Sequence, residues 1–116
     1  MNENPTVVVT FKDIATDERV REAIEQRCAH LGREFHEVSR LEITLTEDGQ
    51  GFSVHGHVTG KSLDVGAQAE ASELLPAAER VLDKVERQLR TLHDKHIFSQ
   101  RREAQRDPPK KRRAGG

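Results

Sequence analysis

The residues best able to do chemistry lie in the last third of the chain. Between Leu74 and His96, apolar residues recur as Leu74, Ala78, Val81, Leu82, Val85, Leu89 and Leu92. That is the stripe of an amphipathic helix, at about 100° per residue. On the same wheel Arg80, Lys84, Arg87, Thr91 and Lys95 gather on a flank away from the stripe. Glu79, Asp83 and Glu86 fall on a neighbouring arc. Arg80 and Lys84 are like charges four residues apart, an arrangement that costs a helix roughly 0.2–0.5 kcal/mol. Folding alone does not call for it, whereas a row of phosphates would, because each contact releases counterions. A solvated face with local pairs, Asp83–Arg87 and Glu86–Arg90, explains the same residues equally well. Both readings stay open. Arg90 joins the cationic set by charge geometry.

Other chemistry finds less support. His55 and His57 share one strand face, and His93 and His96 stand three apart on the helix. A zinc site wants three or four ligands, and no third can be assembled, so neither metal nor cofactor is expected. No phosphate-binding glycine loop with Lys-Ser/Thr, no HExxH and no GxSxG occurs. Cys28 falls on a buried stripe and reads as a packed thiol. No catalytic residue is assigned, and no small-molecule substrate is expected. The basic run Lys110-Lys111-Arg112-Arg113 could grip phosphates or simply keep the end soluble.

These groups must be positioned by one small domain. The chain has 116 residues, of which 34% are hydrophobic and 34% charged. That is room for one core. The net charge of −1 hides an asymmetry. Residues 101–116 carry seven basic and two acidic side chains, a net of +5, and leave −6 on residues 1–100. A nucleic-acid reading therefore rests on where charges sit. No apolar run approaches the ~20 residues that span a bilayer, and no leader-like apolar segment follows Met1. With a single cysteine, Cys28, the chain is expected in the cytoplasm.

Thr6–Phe11 is rich in β-branched residues and reads as a strand. Asp17 offers an N-cap to a helix whose face is Val20, Ile24, Cys28, Leu31 and Phe35. The period then drops to two. Leu41, Ile43 and Leu45, then Phe52, Val54, Gly56 and Val58, then Leu63, Val65, Ala67 and Ala69 mark three strands. Asp48-Gly49-Gln50-Gly51 and Gly60-Lys61 read as their turns. Ser72 is the expected N-cap of the second helix, with Pro76 in its first turn and an end near His96. Residues 99–116 are expected to be a disordered basic tail, leaving 1–98 as the domain. The order β-α-β-β-β-α predicts a two-layer α+β domain, a four-stranded sheet with both helices on one face. Tyr and Trp are absent. Exposed aromatic platforms for single-stranded RNA are therefore not expected, and recognition by shape and backbone suits the chain better.

The stretch Asp83-Lys84-Val85-Glu86-Arg87-Gln88-Leu89, followed by Asp94-Lys95, resembles the Asp-Lys-Leu-x-Arg-Gln-Leu and Asp-Lys helix of ribosome hibernation promoting factors and their ribosome-associated inhibitor relatives. Ile14, Asp17, Val20-Arg21-Glu22, Leu31 and Phe35 fall at similar spacings, and the resemblance covers roughly residues 7–96. It implies a fold like that of double-stranded RNA-binding domains. It also implies a bacterial stress and stationary-phase factor that docks on small-subunit ribosomal RNA, over the channel for messenger and transfer RNA, and blocks translation. Lys84, Arg87 and Lys95 match basic positions of the family's second helix, and Arg21 and Arg27 match basic positions of its first. The long family members carry a second, dimerising domain that these residues do not show, and the inhibitor relatives carry an acidic tail where this one is basic. Whether such a factor pairs ribosomes or keeps them apart stays open. The free protein is expected to be monomeric. A protein-interaction module using the polar sheet face, with His55 and Asp64 at its centre, is the alternative.

Overall fold

The computed structural model describes residues 5–105, with side chains through Asp94. The elements are β1 (Thr6–Phe11), α1 (Glu18–Glu34), β2 (Val38–Asp48), β3 (Gly51–Gly60), β4 (Leu63–Ala71) and α2 (Leu74–Gln105). This is the α+β order expected from the sequence.

Local chemistry sets the ends. Asp17 has extended backbone, and its Oδ1 accepts from the amides of Arg19 at 3.0 Å and Val20 at 3.3 Å. A cap of this kind is worth about 1 kcal/mol. α1 stops one residue before the stripe does. Phe35 leaves the helix with extended backbone, yet its amide still donates to the Leu31 carbonyl at 2.8 Å and its ring is buried. α2 begins at Leu74, two residues after Ser72, and the Glu73 carbonyl accepts from the Ala77 amide. Pro76 lies in the first turn, where a missing donor costs least.

The strands pair in the order β1-β2-β3-β4, with β1 parallel to β2 and the rest antiparallel. The register lays Val7, Val9 and Phe11 beside Leu41, Ile43 and Leu45. These face Val58, Gly56 and Val54, and then Val65, Ala67 and Ala69. Strict alternation thus sends every apolar side chain of the meander to one face. α1 covers β1 and β2, while α2 covers β3 and β4. Val20, Ile24, Cys28 and Leu31 of α1 and Ala77, Ala78, Val81, Leu82, Val85 and Leu89 of α2 complete the buried core.

Two glycines are explained by close approach. A Cβ on Gly56 would stand 2.7 Å from Val81 Cγ1 and 3.3 Å from Ile43 Cδ1, so its bareness lets α2 settle onto β3. Gly60 is not the turn residue the sequence suggested. Its Cβ would meet the Glu37 carbonyl, and the turn falls at Lys61 and Ser62, with Ser62 at φ 58°.

α2 also runs past the expected end at His96, to Gln105. The apolar stripe gives out after Leu92, but the following residues include no proline or glycine before Pro108, so nothing local ends the backbone ladder. The expected tail boundary at residue 99 thus falls within helical backbone, and residues 106–116 lie outside the described part. Among the described residues no helix is long and apolar enough to cross a membrane.

Gly56→Ala should lower stability by about 1–3 kcal/mol through overpacking under α2. Urea unfolding checks this, and an unchanged midpoint would show that α2 can shift without loss.

Candidate nucleic-acid interface

The cationic flank of α2 lies along the outer edge of β4. Arg80 Nη1 donates to the Glu70 carbonyl at 2.7 Å, Lys84 Nζ to the Gln68 carbonyl at 2.7 Å, and Gln88 Nε2 to the Gly66 carbonyl at 2.9 Å. The periods match. Four residues of helix rise about 6 Å, and two residues of strand about 6.6 Å. Every second carbonyl of β4 therefore meets every fourth side chain of α2. This corrects the premise that folding has no use for Arg80 and Lys84 at like-charge spacing: they close an edge that would otherwise offer unpaired carbonyls. Gln88 figures in the sequence only as a motif position, with no role, because it carries no charge. Its partner spacing becomes visible only once β4 is known to be the edge.

These contacts do not exhaust the cations. A guanidinium has five donors and an ammonium three, and one of each is used here. Arg80, Lys84 and Arg87 are all exposed. Arg87 has no hydrogen-bond or ion-pair partner among the described residues. It lines a shallow hollow with Asp64 and Thr91, at the end of the same flank. The Lys95 side chain lies outside the described residues.

The remaining candidates are engaged elsewhere. Arg27, from α1, pairs with Asp83 at 3.0 Å and Glu86 at 3.3 Å on α2. Arg90 pairs with Glu86 at 2.8 Å and with Glu34 of α1 at 2.9 Å, and stands 5.5 Å over the Phe35 ring. Hydrogen bonds from Arg90 to Glu86 and Glu34 raise its guanidinium above the ordinary value, which keeps it charged. A chain of alternating charge, Asp83–Arg27–Glu86–Arg90–Glu34, thus binds the two helices. It explains the acidic arc of α2, which faces α1. It also explains why Asp83 turns to Arg27 rather than to Arg87. Arg21 sits by Glu18 at 3.5 Å and 5.5 Å over the Phe11 ring. The structure therefore brings Arg80, Lys84 and Arg87 together on one flank and places Arg21, Arg27 and Arg90 apart from them.

The open sheet face is polar and internally paired. Arg40 bonds Glu42 and holds that carboxyl below its usual range, chiefly through the hydrogen bond. His57 Nε2 lies 2.7 Å from Asp64 Oδ1, and Gln68 donates to Ser53 at 3.3 Å. His93 pairs with Glu37 at 3.1 Å and meets the Phe35 ring edge-on. No described group of three His, Cys, Asp or Glu could hold a metal. Burial pushes the Cys28 thiol up to about 12, so it stays protonated and unreactive at neutral pH.

Arg27→Ala should cost about 0.2–1 kcal/mol at low salt, and less at high salt, because it opens a half-exposed ion network. Arg87→Ala should change stability by under about 0.5 kcal/mol. Urea titrations at two salt concentrations separate them, and equal costs would contradict the division between clamping and free cations.

With the geometry in place, comparison with known proteins adds a family. Residues 7–97 match the family described as sigma 54 modulation protein / S30EA ribosomal protein. A ribosomal subunit interface protein from Coxiella burnetii superposes with a TM-score of 0.68 at 21% sequence identity, covering 77% of this chain and 98% of that one. The N-terminal domain of Protein Y from Thermus thermophilus superposes with a TM-score of 0.66 at 19% identity, with the same coverage. At these identities the superpositions show the fold. No curated protein sequence matches. The family match spans β1 to the middle of α2, including every cation of the flank, and the chain belongs to the sigma 54 modulation / S30EA ribosomal protein family, the one its α2 motif resembles.

Proposed function

We propose that the protein binds the small ribosomal subunit in the cytoplasm of a bacterial cell. In this reading it lies on ribosomal RNA over the channel for messenger and transfer RNA, and blocks translation in idle or stressed cells. It acts by occupancy rather than catalysis. The observation that carries the reading is the flank of α2. In a chain of this ribosomal family, Arg80, Lys84 and Arg87 stand exposed in one row, with donors to spare after the β4 edge is closed. Lys95 follows on the same side of the helix wheel. Arg27 and Arg90 serve the site indirectly, by tying α1 to α2, while Arg21 ties α1 to β1 through the Phe11 ring.

The chemistry favours phosphate and shape over base reading. The chain has no Tyr or Trp, and Phe35 is buried. Stacking platforms need exposed aromatics. Cations spaced along a rigid helix instead follow a backbone, and A-form RNA is recognised mainly by shape and backbone.

Co-sedimentation with purified small subunits at two salt concentrations tests the proposal. Wild-type binding should weaken with salt. The R80E/K84E/R87E protein should lose most of it, and R87E alone, which breaks no hydrogen bond or ion pair among the described residues, should make the salt dependence shallower by about one contact. Melting curves of each variant control for the lost β4 contacts. Salt-insensitive binding, or a triple variant that binds like wild type, would contradict the proposal.

A further inference from the structure

The sheet has two edges, and they are finished differently. The β4 edge is capped at its Glu70, Gln68 and Gly66 carbonyls by Arg80, Lys84 and Gln88. The β1 edge is not. The Lys12 amide donates to the Leu45 carbonyl at 2.8 Å, and Leu45 is the register partner of Phe11. Alternation along a parallel ladder then turns the backbone of Thr6, Val8 and Thr10 toward β2 as well. The amides and carbonyls of Val7, Val9 and Phe11 point outward. Among the described residues no side chain bonds to them. β1 has no charge, no proline and no bulge, the devices that normally blunt an edge.

We propose that β1 is a strand-addition surface whose occupant is a second copy of this chain, paired antiparallel about Val9. Backbone self-pairing is open to any strand turned on itself, so the side-chain match is what argues for a second copy. The outward groups of Val7, Val9 and Phe11 are symmetric about Val9, so each donor meets an acceptor when the strand is turned on itself. Val9 then faces the second copy's Val9, and Val7 faces its Phe11. The half-exposed apolar side chains of Val7 and Phe11 cover one another and continue the core face across the junction. On the open face Val8 meets Thr10, and Thr6 meets Lys12, so no like charges oppose. Two four-stranded sheets become one. The contact is short beside the ~1,000 Å² expected of a stable interface. Association is therefore weak and concentration-dependent, which revises the expectation of a strict monomer without bearing on the ribosome reading.

Sedimentation equilibrium of the full chain over a wide concentration range tests this. The wild-type mass should climb toward twice the monomer. Val8→Lys with Thr10→Lys sets ammonium groups directly opposite across the two-fold and should hold the protein monomeric. Val8→Lys with Thr10→Glu sets opposite charges there and should restore the dimer, now loosened by salt. Amide exchange at Val7, Val9 and Phe11 of the wild type should slow as concentration rises. A wild type that stays monomeric throughout, a doubly lysine-substituted protein that dimerises like wild type, or exchange at those amides that ignores concentration would each overturn the proposal.

Discussion

The structure depends on how α2 lies against β3 and β4. Two fits have to hold at once. The apolar stripe must sink between strands, which Gly56 permits by offering no Cβ to Val81. The flank of the same helix must keep step with the β4 edge, which the near-equal rise of four helical and two strand residues permits. If the helix rotates, the stripe lifts and the ladder breaks together. The cations of that flank are held in a line because the fold holds them there. Their spacing is first a property of packing and only then a property available to a ligand.

The basic residues thereby sort into two kinds of work. Arg27 and Arg90 face the acidic arc of α2 and the end of α1, where opposite charge is within 3.3 Å. Arg21 is occupied by Glu18 and Phe11. Arg27 and Arg90 thus fix the angle between the helices, and Arg21 fixes α1 against β1. Arg80 and Lys84 do both jobs, since each spends one donor on a carbonyl and turns the rest outward. Arg87 has no hydrogen-bond or ion-pair partner among the described residues, so its charge stays available to something outside the domain. Phosphate binding is compatible with the acidic balance of the domain here because Asp83 and Glu86, the acids of α2 nearest the flank, are paired with Arg27 and Arg90.

Much of this was legible in the residues. Alternation in three stretches, a change of period after α1 and the Asp17 cap fixed the element order, because each is a local rule with one outcome. The helix stripe also places Arg80, Lys84 and Arg87 on one flank, where the structure has them. What local rules do not carry is where another element will stand. Helix-wheel positions could not tell that Arg27 meets Asp83 across α1 and α2, so Arg27 and Arg90 were grouped with the free cations. Nor could they tell that β4 is an edge, so Gln88 had no role and the Arg80–Lys84 repulsion looked unexplained. Gly60 reads as a turn residue because glycine suits turns, while its real constraint is the carbonyl of Glu37, distant in sequence.

We propose that the exposed row on α2, rather than the open sheet face, meets the RNA. Hydrogen–deuterium exchange of the protein bound to small ribosomal subunits tests it most directly. Slowed exchange along β4 and the Arg80–Thr91 segment of α2, with the amides around His55 and His57 unchanged, is the expected result. Protection centred on His55 and His57, with the α2 flank unaffected, would contradict it and move the contact to the sheet.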